Sequence, residues 1–134
     1  MGLSDVVANR MSSAAGKAFP RIGESYLKEA RSLILSKVAK IAVQEKQSDA
    51  YPFLKDKEKF VRDLVSCIVW VSDEDGLVIT LSKSKMASFG FPKNLPDLME
   101  FGGRNMPQAA WVIPAGDRVG KRSRRIFREE YSKA

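Results

Sequence analysis

The sequence predicts an α+β fold: a small antiparallel β-sheet packed against a long amphipathic helix, with a further helix at the C-terminus. Three observations carry this expectation. Leu27, Ala30, Ile34, Val38, Ile41 and Ala42 follow the 3.6-residue helical period, while Lys28, Glu29, Lys37, Lys40 and Glu45 fall mostly on the opposite side. Two β-rich runs, "LVSCIVWVS" and "LVITLS", bracket the turn sequence "DEDG". The closing stretch "GDRVGKRSRRIFREEYSKA" spaces Val119, Ile126 and Tyr131 as a thin apolar stripe among charges.

The chain has 134 residues, of which 44% are hydrophobic, enough apolar material for one core and one domain, residues 1–134. No internal repeat and no dividing linker is visible. Residues 3–19, within a segment 1–20, have only a weak helical period and end at "FPRIG", which suggests a short helix or a loosely held, flexible arm. The long helix is expected from Ser25 to Lys46. "QSDAYPFLKD" interrupts it, because Pro52 disfavours helix at Tyr51. "KEKFVRD" adds a helical turn or two, and a β-hairpin follows from Leu64 to Ser82. In its first strand Val65, Cys67, Val69 and Val71 make one apolar face, yet Ile68 and Trp70 on the other face are also large and apolar. Both sides therefore call for cover, one from the long helix and the other from a neighbouring subunit. "KSKMASFGFPKNLPD" has turn residues and no period, so residues 83–97 are expected to form an exposed loop. The last helix, residues 117–134, is opened by Pro114 or Asp117, although Gly116 and Gly120 weaken its start.

Composition narrows the chemistry. Histidine is absent, so imidazole catalysis, Ser-His and Cys-His pairs and histidine-ligated metals are excluded. The one cysteine, Cys67, sits in an apolar run and reads as a small buried hydrophobe. With no second thiol, no intramolecular disulfide can form, which suits assembly in a reducing cytoplasm. Asp73, Glu74 and Asp75 lack the alternating ligands and terminal Glu of a calcium loop, and a hairpin turn accounts for them. "GGRNMP" has neither Walker spacing nor a GxGxxG after a strand. No catalytic residue, metal site or cofactor is expected, and the chain does not read as an enzyme. No signal-peptide core or membrane-length apolar run is present, and "MGLS" fails as an acylation signal because Val6 stands where Ser or Thr is needed.

Two constellations remain. Lys and Arg number 23 against 16 Asp and Glu, a formal charge of +7, and much of the excess lies in Arg118, Lys121, Arg122, Arg124, Arg125, Arg128 and Lys133. Such density can neutralise nucleic-acid phosphates, face solvent, or meet an acidic partner protein. No zinc-finger spacing, RNP signature or GxxG clamp accompanies it, so a small basic nucleic-acid-binding protein is the alternative and not the leading reading. The second constellation is "EFGGRNMPQAAWVIPA", residues 100–115. Gly102 and Gly103 let the backbone turn sharply, Pro107 and Pro114 hold the intervening stretch extended, and Trp111 is a large apolar anchor. Such a strap either docks on another chain or plugs its own core.

This segment resembles the Glu-aromatic-Gly-Thr and Met-Pro-Ala-x-Pro-Phe-Leu-x-Pro-Ala pattern of the tail-completion, or head-to-tail joining (neck), proteins of long-tailed bacteriophages. Glu100, Phe101, Gly102, Met106, Pro107, Pro114 and Ala115 match directly, with Trp111 in place of Phe and Val112 in place of Leu. Gly103 replaces the Thr, Ala110 replaces a Pro, and the family's Pro-x-x-Thr-Gly-x-Leu-Arg entry is blurred in "YPFLKDKEKFVRDLVSCI". The resemblance implies a non-enzymatic virion protein, made in the host cytoplasm, that forms a homo-oligomeric ring, commonly a hexamer, between the tail tube and the connector. It also implies a subunit interface at Glu100, Phe101, Gly102, Met106, Pro107, Trp111 and Pro114. The basic surface of Arg118, Lys121, Arg122, Arg124, Arg125 and Arg128 would then bind an acidic neighbouring protein or face passing DNA, with no membrane contact.

Overall fold

A computed structural model describes residues 2–39, 44–73, 76–103, 105–106 and 108–134. The fold is α+β. Its elements are α1 (Leu3–Ala39), α2 (Glu45–Ala50), a 3-10 turn (Pro52–Lys55), α3 (Lys57–Ser66), β1 (Ile68–Asp73), β2 (Gly76–Leu81), α4 (Lys83–Ser88), α5 (Leu95–Phe101) and α6 (Val112–Lys133).

The frame is α1 against α6. Thirty-seven residues of α1 at a rise of about 1.5 Å each make a rod on the order of 55 Å long. Its buried stripe recurs at four-residue steps through Ala14, Ala18, Ile22, Tyr26, Ala30, Ile34 and Val38. Ala14, Ala18 and Ala30 are fully buried, and their small side chains allow the facing helix to come close. From α6 come Ala115, Val119, Ile126 and Glu130. The two helices run antiparallel: Arg10 reaches the Tyr131 carbonyl near one end, Arg122 bonds Ser25 and Glu29 in the middle, and Tyr26 bonds the Val112 carbonyl at the start of α6.

Residues 3–20, expected as a short helix or loose arm, instead continue without a break into the long helix. Pro20 removes one backbone donor within α1, but the stripe from Ala14 onward is buried on both sides of it and offsets that loss. The described part of the long helix stops at Ala39, short of the expected Lys46. Lys40, Ile41 and Ala42, which belonged to the expected amphipathic face, lie outside the described residues.

The hairpin is narrower than expected. Leu64, Val65 and Ser66 are the last turn of α3 and not strand. Asp56 caps that helix at its N-terminus by accepting from the Lys59 N–H at 3.2 Å, so the apolar run begins inside a helix already under way. The strands pair in register from Ile68–Leu81 to Asp73–Gly76. Glu74 and Asp75 of the turn lie outside the described residues. Cys67 is fully buried at the α3–β1 junction, where burial pushes its thiol pKa up, as suits a small hydrophobe.

Residues 83–97, for which the sequence predicts an exposed loop, are largely structured. Ser82 caps α4 by accepting from the Lys85 N–H, and Pro96 sits in the first turn of α5. Met86, Phe91 and Leu95 from this stretch enter the core. Phe91 packs edge-on against Phe53 and Phe60, so its isolated aromatic and apolar residues are tertiary anchors that no helical period announces.

Gly23 shows how tightly the sheet sits on α1. A Cβ at that position would lie 2.6 Å from the Trp70 ring, a separation that core packing does not tolerate. Gly23→Ala is expected to destabilise the fold by about 1–3 kcal/mol through overpacking, even though alanine favours a helix interior. Urea unfolding followed by Trp fluorescence measures the change, and an unaltered midpoint would rule out this close approach.

Candidate functional site

The strap between α5 and α6 is organised by a single carboxylate. Glu100, in the last turn of α5, is buried. Its Oε1 accepts the backbone N–H groups of Trp111 and Val112, and its Oε2 accepts that of Ile113 at 3.4 Å. These are the unbonded donors at the start of α6, where the helix dipole also favours negative charge. The residue at the helix cap is Trp111, whose own side chain cannot accept these bonds, so the cap comes from eleven residues upstream. Between the two ends, the chain turns at Gly102 with φ of 75°. Gly103 and Met106 then exchange both backbone hydrogen bonds, at 3.0 and 3.1 Å, around Asn105, whose φ is 67°. The Gln108 side chain donates to the Glu100 carbonyl at 2.8 Å, and the Ala109 N–H donates to the Met99 carbonyl at 2.7 Å.

This geometry corrects the expectation that the strap offers its anchor to another chain. Trp111 is only 1% exposed and fills the chain's own core. Glu100 and Met106 are likewise buried, while Gly102 and Pro114 are half-buried. Phe101 alone of the described strap candidates is presented outward, at 71% exposure, and Pro107 lies outside the described residues. The physical reason is the cap itself: fastening residues 111–113 to Glu100 draws the indole inward beside Ala109 and Ala115, which are also buried.

The basic cluster divides in two. Arg118 and Arg122 point toward α1, where both pair with Glu29; the Arg118 contact is 3.2 Å. Lys121, Arg124, Arg125 and Arg128 form the outer stripe at i, i+3, i+4 and i+7, and all four are exposed. Arg125 lies 3.8 Å from Glu129. Further along the seam, Arg21 of α1 bonds Glu129 at 3.0 Å and Glu130 at 2.9 Å. Two of the six expected surface cations therefore hold the fold together, a role the sequence concealed because Glu29 is far away along the chain.

The hairpin has one covered face and one open face. Trp70 lies against Gly23, and Leu77, Ile79 and Leu81 pack on the core from the same side. On the opposite side Val71 and Val78 are direct cross-strand partners, yet they are 62% and 61% exposed. The inner half of the expected two-sided cover is thus supplied by α1, and the outer half is uncovered in the single chain. No helix of the described residues is long and apolar enough to cross a membrane.

Removing the Glu100 cap leaves three backbone donors without their acceptor. Glu100→Ala is expected to lower stability by about 1–3 kcal/mol, with Glu100→Gln recovering part of the loss because its amide oxygen still accepts. Parallel denaturation curves of the two variants test this, and equal stability of Glu100→Ala and the parent would refute the cap.

The α1–α6 ion pairs set a pH dependence. Hydrogen bonds from Arg122 and then Arg118 hold the Glu29 carboxyl below its usual pKa, and Arg21 does the same for Glu129. A depressed folded-state pKa stabilises the fold above the unfolded value of about 4.3, and that contribution disappears as pH falls through the lower folded value. Thermal midpoints should therefore decline below that range, and Glu29→Gln should make the acid limb shallower. An identical acid limb in the variant would count against the pairing.

Against this geometry, no protein-family model, curated protein or solved structure matches the chain.

Proposed function

We propose that the chain is a structural subunit of a tailed-phage virion, of the tail-completion or neck kind, which joins copies of itself into a ring between tail and head connector. The observation that carries this reading is the open hairpin face, where Val71 and Val78 stand side by side in solvent on a sheet of two strands. A two-stranded sheet is marginal by itself and has two unprotected edges. An apolar cross-strand pair on its outer face is what a neighbouring copy would bury. A different patch on the next copy then makes a head-to-tail contact, the kind that closes into rings.

The resemblance of the strap to the neck-protein segment supplies the kind of assembly. Glu100, Met106, Trp111 and Ala115 are all buried, so the shared pattern reads as a framework that sets α6 on α1. The ring surface falls instead on the hairpin and on exposed Phe101. The reading needs no catalytic centre, metal or cofactor. The outer stripe of Lys121, Arg124, Arg125 and Arg128 suits an acidic neighbouring protein better than a DNA sequence, because no base-reading element accompanies it.

Val71→Asp together with Val78→Asp is expected to leave the monomer folded, since both side chains are mostly in water, and to abolish higher assemblies seen by native mass spectrometry. Assembly unchanged by this pair of charges would sink the hairpin as the interface. A monomer in both proteins at every concentration would sink self-assembly altogether.

A further inference from the structure

Three consecutive residues of β2, Ile79, Thr80 and Leu81, line a cleft of about 260 Å³ together with Trp111 and the exposed Lys83 and Lys93. Neighbouring strand residues point to opposite faces, so a cleft that all three line wraps the edge of the strand. β1 occupies the other edge, and the sheet contains no third strand among the described residues. The outward N–H and C=O groups of β2 therefore carry no ladder hydrogen bonds among the described residues, the feature an added strand uses.

Two further features specify the occupant. Lys83 and Lys93 make no ion pair among the described residues, which leaves two positive charges beside an apolar recess. Trp111, which lines the recess, carries in Nε1 the one buried side-chain polar atom among the described residues with no hydrogen-bond partner. Tyr26, which also lines the recess, has its pKa pushed up to about 12 by burial and then by the Glu100 charge, so the two lysines are the groups that must draw a carboxylate in against that charge. The recess is smaller than the roughly 300–1,000 Å³ typical of sites for whole ligands and has the scale of one side chain with its terminal group.

We propose that this cleft binds the carboxyl-terminal residue of an extended polypeptide. Its backbone adds to the open edge of β2, its last aliphatic side chain enters the recess, and its carboxylate meets the two lysines. Lys83 follows closely after Leu81, so the bound segment runs parallel to β2 and ends where β2 ends. The site is independent of the open hairpin face, since it uses the edge of the strand and not Val71 or Val78.

The test uses the full chain and the peptide acetyl-Ser-Thr-Thr-Val-Leu as free acid, the same peptide as C-terminal amide, and hexanoate. The readout is the indole N–H signal of Trp111 in ¹H–¹⁵N NMR spectra, distinguished from that of Trp70 by Trp70→Phe. The acid should shift the Trp111 signal saturably, and the amide should bind roughly tenfold more weakly. Lys83→Gln with Lys93→Gln, both at exposed positions, should weaken the acid by a similar factor while circular dichroism stays unchanged. No saturable shift, or equal binding of acid and amide, overturns the carboxylate assignment. Hexanoate binding as tightly as the peptide overturns the polypeptide assignment and leaves a site for a free small acid. Because peptide binding and self-assembly are read separately, loss of one leaves the other intact.

Discussion

The structure depends on one buried carboxylate meeting the start of one helix. A charge as secluded as that of Glu100 is costly to bury unless hydrogen bonds replace its water. Trp111, Val112 and Ile113 supply those bonds from backbone donors that would otherwise lack partners of their own. Each side of the contact thus satisfies what the other leaves open. The consequence is positional: once residue 111 is tied to residue 100, α6 has a fixed origin, the indole is committed to the core, and the helix must return along α1.

From that origin the rest of the seam follows. Ala115 and Val119 meet the small-residue stripe of α1, and Arg118 and Arg122 arrive opposite Glu29. Farther on, Glu129 and Glu130 arrive opposite Arg21. These partially exposed pairs are weak individually, and their value lies in setting the rotation of α6 about its axis. That rotation keeps Arg118 and Arg122 at the seam and leaves Lys121, Arg124, Arg125 and Arg128 exposed. A similar asymmetry marks the hairpin, where contact between Trp70 and Gly23 commits one face to α1 and so turns Val71 and Val78 to solvent. Framework and display surfaces are two results of the same packing.

Much of this was legible locally. The helical period around Leu27 to Val38, the strand runs around the turn, and the C-terminal stripe of Val119 and Ile126 each reflect a repeat in which neighbouring residues share one environment. Where such a repeat is weak, distant contacts decide the structure. The weak period of residues 3–19 predicts an end at "FPRIG", yet Ala14 and Ala18 before it and Ile22 within it are buried and carry α1 through Pro20. Leu64 to Ser66 have strand-like character but sit in a helix that Asp56 had already capped. The segment from Lys83 to Asp97 shows no period because its helices are short and its core residues, Met86, Phe91 and Leu95, belong to a cluster assembled from distant parts of the chain.

The amino-acid order by itself determined the class of fold, the long helix, the hairpin, the basic closing helix and the absence of imidazole chemistry. These rest on composition and on spacing within a few residues, which local sterics and hydrophobic periodicity translate directly into structure. Only the tertiary structure decided that Trp111 is core, that Glu100 is a cap, and that Arg118 and Arg122 are fasteners. Each of those roles depends on a partner between eleven and some ninety residues away, and distance along the chain holds no information about proximity in space until the helices have packed.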